Sequence, residues 1–372
     1  MQHPARAADF EVLYDSLQKA MRDGHVRENG HGALRLYCYT SECVYNQAWD
    51  ETTTLARGLV LDIEQRRVVA TPFIKFFNLH ENTGALPAES FDIFEKLDGS
   101  MITLFFHDGA WHTATKGHLR SPQAIWALEW LQAHDLSHLE RGCTYLCEAI
   151  YDENRIVIKY QGEGLRLLAA YDAHGYEVPY DAVAGLAQKL GWGIAQRFSF
   201  ESLAALVETA RKLPATSEGF ILRYENGFRI KIKGEEYCRL HRLISNCTPL
   251  TVWEYMNEGK DPLDMRRELP EEFWADFDSI LSALNSQRHE LQNKIRALAE
   301  SLSTLTDKDV GLKLGALPAD LRGYIFPYRK AGGDFESGKI RQMVMRSIRP
   351  AANQLEGYTP SIHMYRVHAE ST

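Results

Sequence analysis

Lys96-Leu97-Asp98-Gly99-Ser100 stands between two apolar runs, Phe91-Asp92-Ile93-Phe94 before it and Met101 to Phe106 after it. Both runs read as strands, and Asp-Gly is a tight-turn pair. The five residues therefore read as a hairpin turn with Lys96 at the mouth of a sheet. A lysine so placed is a candidate nucleophile. A solvated turn lysine is the commoner meaning of a lone K-x-D-G, which chance alone produces in roughly one chain in twenty of this length. Its companions must decide between the two.

Working outward, Asp9 can cap a helix that keeps Phe10, Leu13, Leu17 and Met21 on one face. Leu34 to Tyr39 alternates like a half-buried strand, and Leu59 to Ile63 with Val68 to Ala70 reads as a hairpin. Phe73 to Phe77 continues extended, and Trp111 to Thr115 is a strand. A helix begins at Pro122 and runs to His134. Tyr145 to Ile150, Ile156 to Tyr160 and Leu165 to Tyr171 are further strands. Helices at Asp181 to Leu190 and Phe200 to Lys212 precede strands at Gly219 to Tyr224 and Phe228 to Ile232. This is an α+β pattern of antiparallel sheets flanked by helices. Afterwards strands give way to helices: His241 to Met256, then a long one from Pro270 to about Leu302 with apolar residues at three- and four-residue spacing. We place a mixed domain at residues 1–238 and a mostly α-helical C-terminal domain at 239–372.

The 372 residues are 45% hydrophobic and 25% charged, as in a folded soluble protein of two or three domains. No apolar run approaches a membrane span, and the N-terminus shows no hydrophobic signal core. The six cysteines form no C-x-x-C pair and have no histidine pair to complete a zinc set, so free thiols in a reducing cytoplasm are expected. A net charge of −8 argues against a generic nucleic-acid coat. Arg322 to Arg349 nevertheless carries seven Lys/Arg against two Asp/Glu. Its aromatics, Tyr324, Phe326, Tyr328 and Phe335, suit a single-stranded RNA groove or, nearly as well, a cluster of basic helix ends.

Several further features accompany Lys96. Arg57-Gly58 precedes a strand, Lys75-Phe76-Phe77-Asn78 ends an extended run, and Lys116-Gly117 follows a hairpin. Glu148 lies among apolar residues in Leu146-Cys147-Glu148-Ala149, where burial without a partner would be costly. Glu218-Gly219-Phe220-Ile221 opens a strand, and Lys231-Ile232-Lys233 follows. Taken singly, most have ordinary meanings: alternating lysines protect an edge strand, and Phe76 and Phe77 are more often core than base-stacking groups. Taken together and in this order, over residues 57 to 233, they resemble the covalent nucleotidyltransferases, and within them the phage (T4-like) RNA ligase 1 group. The K-x-D-G motif is matched by Lys96, Asp98 and Gly99, the strand acid by Glu148, the E-G motif by Glu218 and Gly219, and the K-x-K by Lys231 and Lys233. Arg57, Lys75 and Lys116 belong to elements typical of the RNA ligase 1 group.

The resemblance implies a nucleotidyltransferase (ATP-grasp-like) domain followed by a helical RNA-specificity domain. It implies an ATP-dependent RNA ligase in which Lys96 takes AMP from ATP with Mg²⁺ or Mn²⁺. RNA ends bearing a 3′-hydroxyl and a 5′-phosphate, including those of a cleaved tRNA loop, would be joined by a monomer. A neutral lysine is a rare species at an ordinary pKa near 10.4, so burial and the cations Lys231 and Lys233 are expected to lower that of Lys96 by roughly two to three units. The same lysines would hold the α-phosphate. Arg57, Lys75 and Lys116 suit the triphosphate, Glu148 a ribose hydroxyl or a metal-bound water, and Glu218 a divalent ion. Asp98 and Gly99 shape the turn, with Gly99 allowing positive φ or a close phosphate. A duplex nick-sealing ligase, a capping guanylyltransferase and a catalytically silent RNA-binding module remain alternatives. The helical pattern after Lys233 counts against the first two, and the complete set of charged residues against the third.

Overall fold

Asp9 does cap the first long helix, Phe10–Arg22, accepting from the Glu11 and Val12 amides and sending Leu13, Leu17 and Ala20 into the core. The structure is a computed structural model describing residues 2–361 apart from 83, 270–272 and 352. It divides into two units at His241/Arg242. The position 238 read from sequence falls inside the helix Glu235–Ser245, which runs through that division.

Three sheets make up the first unit. Strands β1 (Val26–His31), β2 (Leu34–Tyr39), β3 (Arg57–Asp62) and β4 (Arg67–Ala70) form an antiparallel sheet in chain order. Then come β5 (Phe77–Asn78), β6 (Phe91–Lys96), β7 (Ser100–His107), β8 (Ala110–Ala114), β9 (Thr144–Ile150), β10 (Gly164–Tyr171), β11 (Gly193–Ile194), β12 (Arg197–Phe198), β13 (Gly219–Tyr224) and β14 (Arg229–Lys233). They sort into two five-stranded sheets, ordered β11-β10-β9-β7-β8 and β12-β6-β13-β14-β5. Pairing is antiparallel except where the short β5 and β11 join in parallel. The helices Pro122–Gln132 and Tyr180–Leu190 pack on the first of these sheets, with Ala127, Leu131, Val183 and Ala187 meeting Leu104, Tyr145 and Leu167. Full burial of the leucines and the valine among these contributes ~1.5–3 kcal/mol each.

The strands around Lys96 exist as expected, but they form no hairpin. β6 pairs with β12 and β13, whereas β7 pairs with β8 and β9. Lys96 to Ser100 is therefore a crossover between two sheets. It is held there by close packing: a Cβ on Gly99 would lie 2.6 Å from the Ala149 carbonyl oxygen and 2.9 Å from Glu148 Cγ. Gly99 does not adopt positive φ, so this approach to β9, rather than backbone conformation, is what calls for glycine.

Ile156 to Tyr160 is likewise not a strand. Its amides find a side chain instead of a neighbouring strand: Val157 and Ile158 N–H both donate to Asp98 Oδ2, at 3.1 and 2.9 Å. The polar β1, Val-Arg-Glu-Asn-Gly-His, is a strand that periodicity did not reveal.

The second unit is helical, with no strand of the three sheets among its described residues. Its long helix, Trp274–Ser301, buries Phe277, Ile280, Leu284 and Ile295, and Pro270 lies outside the described residues. Arg288, on the same helix, pairs with Glu336 at 2.7 Å. Two arginines of the basic window serve helix ends. Arg341 donates to the carbonyls of Met256 and Asn257, and Arg329 to those of Leu302 and Leu305 while pairing with Asp307. Phe335 is buried against Ile295 and Val344. Among the described residues, all six cysteines are free and no helix is long and apolar enough to cross a membrane.

Candidate active site

Antiparallel register places Lys96 and Lys233 on either side of Gly219, one on each flanking strand. Glu218, immediately before that glycine, reaches both. Its Oε2 is 2.8 Å from Lys96 Nζ and its Oε1 is 2.9 Å from Lys233 Nζ. Gly219 makes this possible. Its φ is +143°, and a Cβ there would fall 2.0 Å from the Ile232 carbonyl oxygen. Glu218 is 3% exposed, and the two ammonium groups hold its carboxyl below the usual range although burial alone would raise it.

Lys96 departs from expectation. Burial presses it towards the neutral form, but Glu218, Glu148 and Asp98 outweigh that and hold its pKa above the ordinary lysine value. Acids, not cations, dominate its immediate surroundings, so in this state Lys96 is a paired ammonium. The depressed lysine is Lys231, two residues from Lys233 on the same face of β14. Burial, reinforced by Lys75, Lys233 and Lys96, pushes it down to about 7.

Lys75 forms the other cationic wall. Burial and the charges of Arg57 and Lys116 lower it to about 8, with Glu81 partly opposing. Its Nζ lies over three rings, Phe77 at 4.6 Å, Trp49 at 5.2 Å and Tyr39 at 5.8 Å. Lys116 also lies over Tyr39, at 5.6 Å, and Arg57 over Phe76, at 5.1 Å. Gly58, at φ +95°, brings the Arg57 strand against the Lys116 backbone, where a Cβ would meet the Lys116 carbonyl oxygen at 3.2 Å. Parallel pairing of β5 with β14 sets Asn78 beside Lys231. The R-G, K-F-F-N, K-G and K-x-K elements, dispersed in sequence, thus share one electrostatic neighbourhood.

The acids play distinct parts. Glu148 lies on β9, the central strand of its sheet, all seven of whose residues are buried, and its charge is felt at Lys96. Asp98 is occupied structurally. Besides the Val157 and Ile158 amides it accepts from the Tyr237 hydroxyl at 2.9 Å, and its own N–H donates to Tyr160 Oη at 2.8 Å. Burial and Glu218 raise its pKa against the effect of those bonds. A cavity of about 420 Å³ is lined by Asp98 and the 149–163 segment, with none of Lys96, Lys231 or Lys233 in its wall. Trp49, Tyr39, Tyr160 and Tyr237 were not singled out from sequence. They lie in stretches with no motif of their own, and only the fold brings them to the lysines and to Asp98.

A buried Lys96–Glu218–Lys233 ion-pair cluster and a cationic wall around Lys75 and Lys231 thus lie close together in the first unit. A family model described as RNA ligase, of the T4 RNA ligase 1 type, matches residues 55–237, and through that segment the chain belongs to the T4 RNA ligase 1-like nucleotidyltransferase family. A protein of Autographa californica nuclear polyhedrosis virus, named for polynucleotide kinase and RNA ligase, is 27% identical over 216 residues, 50% of this chain and 30% of that one. A Thermovibrio ammonificans protein named for RNA ligase is 30% identical over 203 residues, 50% of this chain and 52% of its own. The chain thus spans about half or less of the curated relatives it matches. Among solved structures, an archaeal ATP-dependent RNA ligase superposes with a TM-score of 0.49 at 14% identity, covering 76% of this chain and 83% of that one. A Naegleria gruberi RNA ligase with pyrophosphate gives 0.34 at 18% identity, covering 41% and 52%.

Proposed function

We propose that this protein is an ATP-dependent RNA ligase that joins RNA 3′-hydroxyl and 5′-phosphate ends through a lysyl-adenylate. The observation that carries the reading is the position of Lys96 Nζ, 2.8 Å from Glu218 and within the field of Lys231, which with Lys75 makes a partly buried cationic wall suited to anions. ATP supplies those anions. Its β- and γ-phosphates suit Arg57, Lys75 and Lys116, and its α-phosphate suits Lys231 and Lys233. Lys96 nitrogen then bonds to the α-phosphorus as the bond to the β-phosphate oxygen breaks, and the lysine proton is lost. An oxygen of the RNA 5′-phosphate next displaces Lys96. Finally an RNA 3′-hydroxyl attacks that 5′-phosphorus and AMP leaves.

A divalent ion fits this set. Among the described residues no group of three or more metal-ligating side chains is assembled. A hard cation that keeps its waters needs only one or two carboxylates. Glu148 and Glu218 are the residues that would hold Mg²⁺ or Mn²⁺, which would supply charge neutralisation at the phosphates. Asp98, committed to four hydrogen bonds through side chain and backbone, positions the turn.

Residues 1–238 would then carry adenylyl transfer and the helical 239–372 would select the RNA, with broken single strands or cleaved tRNA loops as substrates. The test is to incubate the protein with α-labelled ATP and Mg²⁺, denature it and map the label. Acid-labile label on the Lys96 peptide, chased into a 5′-phosphorylated RNA, is expected. No label on the wild type would overturn the reading, and preferential labelling by GTP would favour a capping enzyme.

The depressed lysines make a second prediction. Lys75 near 8 and Lys231 near 7 are partly neutral at pH 8 and should regain protons when a triphosphate arrives. Calorimetry at pH 8 with a non-hydrolysable ATP analogue, in buffers of different ionisation enthalpy, should therefore show net proton uptake. Uptake should shrink in Lys231→Met and vanish below about pH 6, where both lysines are already charged.

A further inference from the structure

Lys75 in the cationic wall rests on Trp49, Tyr39 and Phe77, and the chain reaches Trp49 through an exposed tip. Tyr45 ends the short helix Ser41–Tyr45 and is 89% exposed, and its neighbour Val44 is 47% exposed. The tip that follows is hydrogen-bonded within itself. Gln47 takes φ +50°, Ala48 N–H donates to the Cys43 carbonyl at 3.0 Å, and Trp49 N–H donates to the Gln47 carbonyl at 2.8 Å. Thr40 caps the helix before it, and a reciprocal Asp50–Thr53 capping box fixes the one after it. Trp49 then stands edge-on to Tyr39 and Phe77, with ring centroids at 5.1 and 5.4 Å, beneath Lys75 Nζ. A large, nearly fully exposed ring held on such a tip has no evident use in the core.

In-line displacement says what should arrive there. In the first step pyrophosphate leaves opposite Lys96. In the second Lys96 is the leaving group, so the entering RNA 5′-phosphate must approach from the side that pyrophosphate vacated. That is the side of Arg57, Lys75 and Lys116. We propose that the Tyr45–Trp49 tip is the stacking shelf for the base of the 5′-phosphorylated nucleotide, whose phosphate takes the place of pyrophosphate against Lys75. This rests on the adenylyl-transfer reading. Aromatic rings beside a cationic track suit single-stranded nucleic acid, because every base has a face to stack and every linkage a charge to hold.

The test separates the steps. Wild type, Tyr45→Ala and Tyr45→Phe are labelled from ATP, and the isolated protein–AMP forms are mixed, at subsaturating concentration, with a 5′-phosphorylated RNA oligomer. A matched oligomer has an abasic 5′-terminal residue. All three proteins should take label equally. Transfer to the normal oligomer should slow by about 5- to 100-fold in Tyr45→Ala and stay within about twofold in Tyr45→Phe. With the abasic oligomer, wild type and Tyr45→Ala should transfer alike. Equal transfer of the normal oligomer by wild type and Tyr45→Ala would overturn the shelf, as would an equal loss on the abasic oligomer, while leaving adenylyl transfer intact. Absence of label on wild type would remove the underlying reading and the shelf with it.

Discussion

Lys96→Arg should fold like the wild type and take essentially no label from ATP. Arginine retains the positive charge that Glu218 needs on its Oε2 side, so the buried carboxylate keeps two cationic partners. What it lacks is an accessible neutral form. A guanidinium stays protonated at pH 8 even more completely than an ammonium and spreads its charge over three nitrogens, so labelling should fall at least ~10²-fold. Lys96→Ala should also lose labelling, but for a mixed reason. It strips one counter-charge from a carboxylate that is 3% exposed, so the loss of chemistry comes with a loss of stability. Denaturant titration of both variants beside the labelling assay separates holding from attacking. Labelled Lys96→Arg would place the nucleophile elsewhere.

Gly219→Ala should be the most damaging single methyl in the first unit. The new Cβ would sit 2.0 Å from the Ile232 carbonyl oxygen and 2.8 Å from Lys233 Cα, at φ +143°. Neither contact is with the movable end of a side chain, so β13 must part from β14 where Gly219 faces Lys233. We expect a loss of about 3 kcal/mol or more in denaturant unfolding, and the withdrawal of Glu218 from both lysines should abolish labelling in whatever remains folded. Gly227→Ala is the control. It has φ +82° with nothing within 4 Å of the added carbon, so only the conformational cost of about 1–2 kcal/mol should appear, with labelling preserved. Similar losses in the two variants would mean that conformation, not collision, governs Gly219.

Local periodicity made much of this chain legible. β2 and β13 have the expected bounds, Leu34–Tyr39 and Gly219–Tyr224, and β9 differs by one residue. These strands alternate, or are uniformly apolar, because the fold buries one face or both. Motif order picked out charged residues that the fold brings together for a similar reason: K-x-D-G, E-G and K-x-K are short local patterns. Partnership was what stayed hidden. Nothing in Lys96 to Ser100 says that the flanking strands enter different sheets, since pairing is decided by residues far along the chain. Nothing near Lys96 says that carboxylates surround it more closely than lysines do, so its pKa was expected to fall and instead rises. Ile156 to Tyr160 has the composition of a strand but gives its amides to Asp98. Arg329 and Arg341 look like a nucleic-acid surface until the helix ends they serve are seen.

The crossover at Lys96 also bears on how the molecule is made. β6 finds its longest partner only in β13, and the whole of the other five-stranded sheet, β7 to β11, lies between them in the chain. A polypeptide emerging from the ribosome carries Lys96 early, yet that lysine gains its carboxylate partner only once Glu218 has been synthesised and β14 has closed beside it. Such long-range pairing is slow, because the ends of a large loop must meet before any contact rewards them. The Lys96–Glu218 pair is thus among the last features of its unit to be assembled, and a chain truncated before Glu218 would carry Lys96 without that carboxylate.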